Sequence, residues 1–323
     1  MKNKRNPEVV ATALVCFGLI MMVLWVYYSA VFGEKIPEKK KEISVVLYDA
    51  GDSGWQSLME GMKQAEEDFA VNIHYVTTKP GVSGEEQAKI VQQELEDGAA
   101  GILLAAVDAS MMPQDIQDGN TQVPIVAVES SADAATYSVF SADNQDMGRT
   151  LGKEILDDFA GSGIIKVVVI EEYIERDSVR ERADGLYEAL EGYADVVPIR
   201  RTNDKVDLSL FLSNVLARSE ADAVVALNKE TLQALCEAER QAVKDKAVYG
   251  IGNTASIVAA LEKGKIEKLV FQDEFNIGYM SVKALVEQME GIRNNAGEIN
   301  FYCVERGEVH QTQYERLLFP IVE

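Results

Sequence analysis

Ser141–Leu156, SADNQDMGRTLGKEIL, is the stretch whose reading decides the fold. The spacing predicts a strand over Tyr137–Ala142, a polar break, and then a helix. The helix carries an apolar stripe at Met147, Leu151 and Ile155, one face at helical spacing. Asp143 and Asn144 suit its start, because short polar side chains accept hydrogen bonds from the free N–H groups of a first turn. Strand–helix units run on both sides of this break. It therefore reads as the first hinge of a two-lobed α/β protein whose function lies in the cleft between the lobes.

Upstream, ISVVLY (Ile43–Tyr48), Val71–Thr77, GILLAAV (Gly101–Val107) and VPIVAV (Val123–Val128) have the apolar runs of buried parallel strands. Ser53 is placed to cap a helix with the apolar face Leu58, Met62, Ala65 and Phe69. Ser83 with Glu86 has capping-box spacing. A short helix is expected near Met111–Asp118. Downstream, strands are expected at Lys166–Ile170, Val196–Arg200, Ala223–Leu227, Ala247–Ile251 and Lys268–Gln272. The helix Asp177–Leu190 has Val179, Ala183, Leu186 and Leu190 on one face, and a last long helix covers Asn276–Glu290. Alternation at this spacing implies parallel sheets with right-handed crossovers. The expected class is α/β, two Rossmann-like lobes with parallel sheets joined by a multi-strand hinge. Residues 43–141 and 274–295 form the N-terminal lobe; 142–273 and 296–323 form the C-terminal lobe.

The N-terminus differs from all of this. Val9–Phe32 is 24 residues without a charge, long enough for a transmembrane helix. Trp25, Tyr27 and Tyr28 cluster near its end, where an interfacial aromatic belt sits. Residues 1–8 read as a cytoplasmic tip, 9–32 as a single-pass anchor in the lipid bilayer, and 33–42 as a charged linker. The soluble part is then extracytoplasmic, on the outer face of the cell membrane. A cleaved signal peptide is the alternative, but the run exceeds the usual ~7–15-residue signal core.

Charge excludes one large class. The chain has 31 basic and 53 acidic residues; from Ile43 onward the counts are 24 and 49, a net charge of −25. Such a surface repels phosphate backbones, so no nucleic-acid partner is expected. Of three cysteines, Cys16 lies in the apolar run, while Cys236 and Cys303 leave a disulfide open. No P-loop, GxGxxG or clustered metal-ligand spacing occurs, so no cofactor and no metal are expected.

Five pieces in order carry a resemblance: SADNQDMGRTLGKEIL, DSVRERADGLYEAL (Asp177–Leu190), VVALNKETLQAL (Val224–Leu235), VYGIGNT (Val248–Thr254) and VFQDEFNIG (Val270–Gly278). Together they make Ile43 to about Gly291 similar to the type I periplasmic binding proteins, the ribose-like sugar-binding branch. The same fold forms the effector domain of lac-repressor-like regulators, which carry a DNA-binding headpiece where this chain has its apolar run. The resemblance implies a monosaccharide-like ligand held between two closing lobes, and a membrane permease of the ABC type or a sensor kinase as partner. Residue by residue, it places Trp55 as the aromatic stacked on a sugar face and Arg180 as the arginine forked onto hydroxyls. Asn228 and Gln272 are the amides, and Glu129, followed by Ser130, stands at an acidic–basic pair. The usual ligand aspartate is Gly252 here, with Asn253 beside it. Losing that acceptor removes a contact worth roughly 1.5–3 kcal/mol, which argues against ribose itself and leaves a non-sugar signal open.

The residues alone point the same way. Trp55, Glu129, Asn228, Gly252 and Gln272 follow the C-terminal ends of expected strands, where open α/β sheets bind ligands. Amide, carboxylate and guanidinium together suit hydroxyls, which both donate and accept. An enzyme reading rests on Gly51-Asp52-Ser53-Gly54, similar to the serine motif of GDSL hydrolases. That serine needs a partnered histidine. Only His74 and His310 exist, and His310 lacks the DxxH spacing. A polar turn before a helix accounts for GDSG more simply, and no enzyme is expected.

Overall fold

The computed structural model describes residues 7–32, 40–49, 54–79, 81–118, 121–130, 138–202, 205–292, 297 and 299–319. It divides into two units, 1–40 and 41–323. The first contains one helix, α1 (Pro7–Phe32). Its side chains are described over Cys16–Tyr28, all of them exposed. Among the described residues no helix is long and apolar enough to cross a membrane.

The second unit opens with β1 (Glu42–Leu47), α2 (Gln56–Asp68), β2 (Asn72–Thr77), α3 (Gly84–Glu96), β3 (Gly101–Leu104), α4 (Gln114–Gln117), β4 (Ile125–Val128) and β5 (Ser138–Phe140). These five strands form one parallel sheet, order β2-β1-β3-β4-β5. Alternation within strands sorts side chains to two faces. Val45, Leu47, Leu103 and Val126 pack in one core with Leu58 and Met62. Val46, Ile102, Leu104 and Ile125 pack in another with Val91 and Ile116.

The chain then leaves this sheet. It continues through α5 (Asn144–Asp158), β6 (Ile165–Ile170), α6 (Asp177–Leu190), β7 (Ala194–Ile199), α7 (Leu208–Leu216), β8 (Ala223–Ala226), α8 (Lys229–Glu237), α9 (Arg240–Val243), β9 (Ala247–Ile251), α10 (Ala255–Glu262) and β10 (Lys268–Gln272). Next, α11 (Glu274–Met289) returns to pack on α2 and the first sheet, and β11 (Phe301–Glu305) comes back before α12 (Thr312–Leu318). The second sheet has the order β11-β10-β9-β8-β6-β7. It is parallel except at β11, which runs antiparallel to β10. Among the described residues no helix of this lobe stands between α11 and β11 as a crossover, so β11 is free to run the opposite way.

Some local expectations hold and others change. Asp143 caps α5 by accepting from the Asp146 N–H at 2.8 Å, and the Ser83–Glu86 capping box forms. Ser53 lies outside the described residues, as does Tyr137. The cap position of α2 is held by Trp55, with no side-chain cap bond. The last long helix starts two residues before the expected Asn276. Asp273 accepts from the Asn276 N–H at 3.0 Å and ends the extended run, so Glu274 opens α11. Cys236 and Cys303 are both free, and burial pushes their thiols up to about 11 and about 12.

Two helix pairs meet through glycines. A Cβ on Gly148 of α5 would stand 1.9 Å from the Arg182 carbonyl oxygen, and one on Gly185 of α6 1.9 Å from that of Gln145. In the other lobe, a Cβ on Gly61 of α2 would lie 2.0 Å from the Phe275 oxygen, and one on Gly278 of α11 2.0 Å from that of Leu58. Only hydrogen at these four positions lets the backbones come so near. The seam between α5 and α6 fixes where Arg182 projects.

Candidate functional site

The C-terminal ends of both sheets face one cleft. Three cations of the second lobe enter it, and each is tied to the first lobe. Arg182 lies on the stripe of α6 with Val179 and Leu186 and is 2% exposed. Its Nη2 donates to Glu129 Oε1 at 3.0 Å, Nε to Asn144 Oδ1 at 2.8 Å and Nη1 to the Leu227 carbonyl at 3.2 Å. Lys229, first residue of α8, is 4% exposed. Its Nζ donates to Glu274 Oε1 at 2.8 Å and to the Gly54 carbonyl, and stands 4.3 Å from the Trp55 ring centroid. Arg176, also buried, stacks 3.6 Å from the Tyr48 ring centroid and 4.2 Å from that of Tyr173, and donates to Glu230 Oε1 at 2.5 Å.

Electrostatics follow the pairing. Burial alone would push the Glu129 carboxyl up, but Lys229 and Arg182 together hold it below the usual range. Burial would drain the proton from Lys229, yet Glu274 and Glu129 hold its ammonium above the ordinary lysine value. For Glu274 burial prevails over Lys229, and its carboxyl sits above the usual range. Glu129 also has φ +61°, and Tyr173 φ +63°. Left-handed backbone at such residues is costly and gathers at functional sites.

The residues singled out in the sequence fall in different places. Glu129, Asn253 and Gln272 line a central space with Arg182, Lys229, Gly252 and Glu274. That space is only about 10 Å³, close to the least that holds one water. Gln272 spends its Oε1 on the Ala142 N–H at 3.0 Å, fastening the first crossover. Trp55 is buried, edge-on to Tyr48, and its indole donates to the Tyr48 carbonyl at 2.7 Å. Asn228 caps α8 by accepting from the Thr231 N–H and donates to the Glu172 carbonyl. Arg180 projects away from this group; its side chain is 51% exposed and bonded to Asp177. The buried guanidinium is two residues further on, at Arg182.

Beside the filled centre lies an open cavity of about 260 Å³. The first lobe lines it with Tyr48, Asp49, Lys79 and Val107, and the second with Tyr173, Arg176, Glu230 and Gln233. The four charged side chains Asp49, Lys79, Arg176 and Glu230, with the tyrosines, give it a polar wall. Among the described residues no group of three or more histidine, cysteine or acidic side chains is arranged to hold a metal. His310 bonds Glu262 at 2.9 Å, His74 sits exposed on the edge strand β2, and Gly51–Ser53 lie outside the described residues.

A family model described as a periplasmic binding protein domain matches residues 43–293. The chain belongs to that family. No curated protein matches it. Among solved structures it is similar to a solute-binding protein of an ABC transporter from Agrobacterium vitis with bound D-fucose (18% identity, 86% of this chain and 100% of that one, TM-score 0.76). A carbohydrate transporter solute-binding protein from Agrobacterium radiobacter in complex with D-arabinose is likewise similar (19%, 87% and 99%, 0.75). So is the XylFII–LytSN complex (15%, 84% and 100%, 0.73). At these identities the likeness is one of fold. Two α/β lobes about a cleft, in a family of binding proteins, are what this chain shares with them.

Proposed function

We propose that this protein is a membrane-anchored, extracytoplasmic receptor for a small sugar-like molecule taken into the cleft between its lobes. The observation that carries this reading is the 260 Å³ cavity at the C-terminal strand ends of both sheets, the place where open α/β folds take ligands. Its wall offers both donors and acceptors: Arg176 paired with Glu230, Lys79 and Asp49 from the first lobe, and the amide of Gln233. A neutral polyhydroxy compound answers such a wall without breaking an ion pair, since each hydroxyl donates and accepts. The D-fucose and D-arabinose held by relatives of this fold favour the same class.

The anchor is α1. As a helix its 26 residues are about 39 Å long, and large apolar side chains from Phe17 to Tyr28 are exposed all round it. A helix apolar on every side belongs in lipid. The thirteen residues with described side chains, 16–28, are by themselves shorter than a span. A tethered receptor need not diffuse, so signalling to a membrane sensor is favoured over delivery to an importer; a chain of the same fold is known within a complex, XylFII–LytSN.

The test is thermal unfolding of residues 41–323 against D-fucose, D-arabinose, D-xylose, D-glucose and myo-inositol, with Gln233→Leu as the cavity variant. A dose-dependent rise with one compound, reduced in Gln233→Leu, is expected. A flat panel refutes the sugar-like ligand. Carbonate extraction of the full chain from membranes tests the anchor; release into the supernatant refutes it.

A further inference from the structure

The centre of the cleft, where a solute would be gripped from both sides, is filled by the chain itself. We propose that Lys229 and Arg182 are a built-in ligand: their cationic heads hold the lobes closed with no small molecule bound and leave a sugar no room at the centre of the cleft, apart from the outer cavity.

Four observations converge. The free space among these side chains is about 10 Å³, against roughly 300–1,000 Å³ for ordinary ligand pockets. The cations belong to the second lobe, while Glu129, Glu274 and the Gly54 carbonyl belong to the first, so these bonds exist only when the lobes meet. The charges cancel, two carboxylates against two cations, so nothing is left over for a charged ligand. Finally, Gly252 and Lys229 are complementary. Gly252 has φ +147°, and a Cβ there would stand 2.8 Å from Lys229 Cβ. A side chain at 252 and Lys229 in its present place therefore exclude one another.

Buried ion pairs hold two surfaces together only when their geometry is good and the remaining polar atoms are satisfied. That condition is met here. Arg182 is aimed before closure by bonds inside its own lobe, to Asn144 and to the Leu227 carbonyl, so closing costs little further ordering. Lys229 adds the Trp55 ring to its two oxygen acceptors. A partner that docks on the closed form would then meet it without solute, and a compound in the outer cavity would modify a state already formed. This inference rests on the two-lobed reading of the cleft, but not on any compound entering it.

Small-angle scattering of residues 41–323, which have their own cores and sheets, tests it. Without sugar, the wild type is expected to give the profile calculated for the closed form, with a radius of gyration near the ~19 Å of a compact chain of this length. Adding D-fucose or D-arabinose should leave the profile unchanged. Lys229→Met/Glu274→Gln and Arg182→Met/Glu129→Gln, each removing a whole pair, should expand it. A wild type that is open without sugar, or that closes when either sugar is added, overturns the proposal; so do folded pair variants as compact as the wild type. The wild-type arm needs no substitution and decides the matter even if a variant fails to fold. A closed wild type with no thermal shift from any sugar would sink the sugar-receptor reading alone.

Discussion

Replacing Lys229 by methionine keeps the length of the stem and removes the charge. In the folded protein the ammonium is 4% exposed and donates to Glu274 at 2.8 Å and to the Gly54 carbonyl. Its loss strands a buried carboxylate, a change that costs about 3–5 kcal/mol. For a domain of this size that lowers the unfolding temperature by roughly 5–8 °C. The pH dependence identifies the cause. Burial already holds Glu274 above the usual carboxylate range, and without the ammonium it rises further. A carboxyl with a raised folded pKa adds stability below its unfolded pKa of about 4.3, and that contribution is lost as pH climbs through the folded value. Glu129 loses a cation that holds it down, so it moves the same way. The deficit of Lys229→Met against wild type should therefore be smaller at pH 5 than at pH 8. Urea unfolding of residues 41–323 at both pH values measures it. Adding Glu274→Leu should recover at least about half of the loss, because an apolar pair of similar volume often replaces a buried ion pair without penalty. A single variant within about 0.5 kcal/mol of wild type, with no pH trend, would refute the reasoning.

Other expectations follow from the same geometry. Gly148→Ala and Gly61→Ala each drive a methyl to within 2.0 Å of a backbone oxygen, and either should cost about 1–3 kcal/mol or more by overpacking; chemical denaturation will show it, and a neutral result would mean the helices are not in contact. Arg180→Ala, on an exposed pair with Asp177, should change stability by less than about 1 kcal/mol and leave any sugar-induced thermal shift intact; loss of that shift would return Arg180 to the cleft. Gln272→Leu strands the Ala142 N–H and should cost about 1–3 kcal/mol, seen as a lower midpoint in the same unfolding assay. Native Cys236 and Cys303, with thiols pushed up to about 11 and about 12, should resist iodoacetamide at pH 8 while the unfolded chain reacts; rapid labelling of the native protein would contradict their burial.

The alternation of strand and helix was legible because apolar period and capping chemistry agree along the chain: Met147, Leu151 and Ile155 face the core, and Asp143 starts their helix. The site was harder. The family resemblance points to the first arginine of Arg180-Glu181-Arg182, whereas the periodicity of that same helix puts Arg182, three residues after Val179 and four before Leu186, on the inward stripe. The rule that sorted the core held more information than the motif. Lys229 left a fainter signal. A lysine in the first turn of a helix opposes the helix dipole, so its presence there asks for a tertiary reason. That reason is Glu274, 45 residues away, and no local pattern reveals such a partner. The antiparallel β11 was beyond reach for a similar cause, because its direction depends on where the chain arrives from rather than on its own residues.

The four glycines have a mechanical consequence. Each lobe contains a helix pair locked backbone to backbone, and α5 and α11, one from each pair, begin directly after a crossover. Torque applied at one helix of a pair therefore reaches the other without slack, because no flexible side chain lies between them to absorb it. Any opening of the cleft must be taken up at Ser141–Asp143, at Gln272–Asp273 and in the return to β11, as rotation of two stiff halves. A few degrees at those three joints become a displacement of several ångströms at the far rim of each lobe.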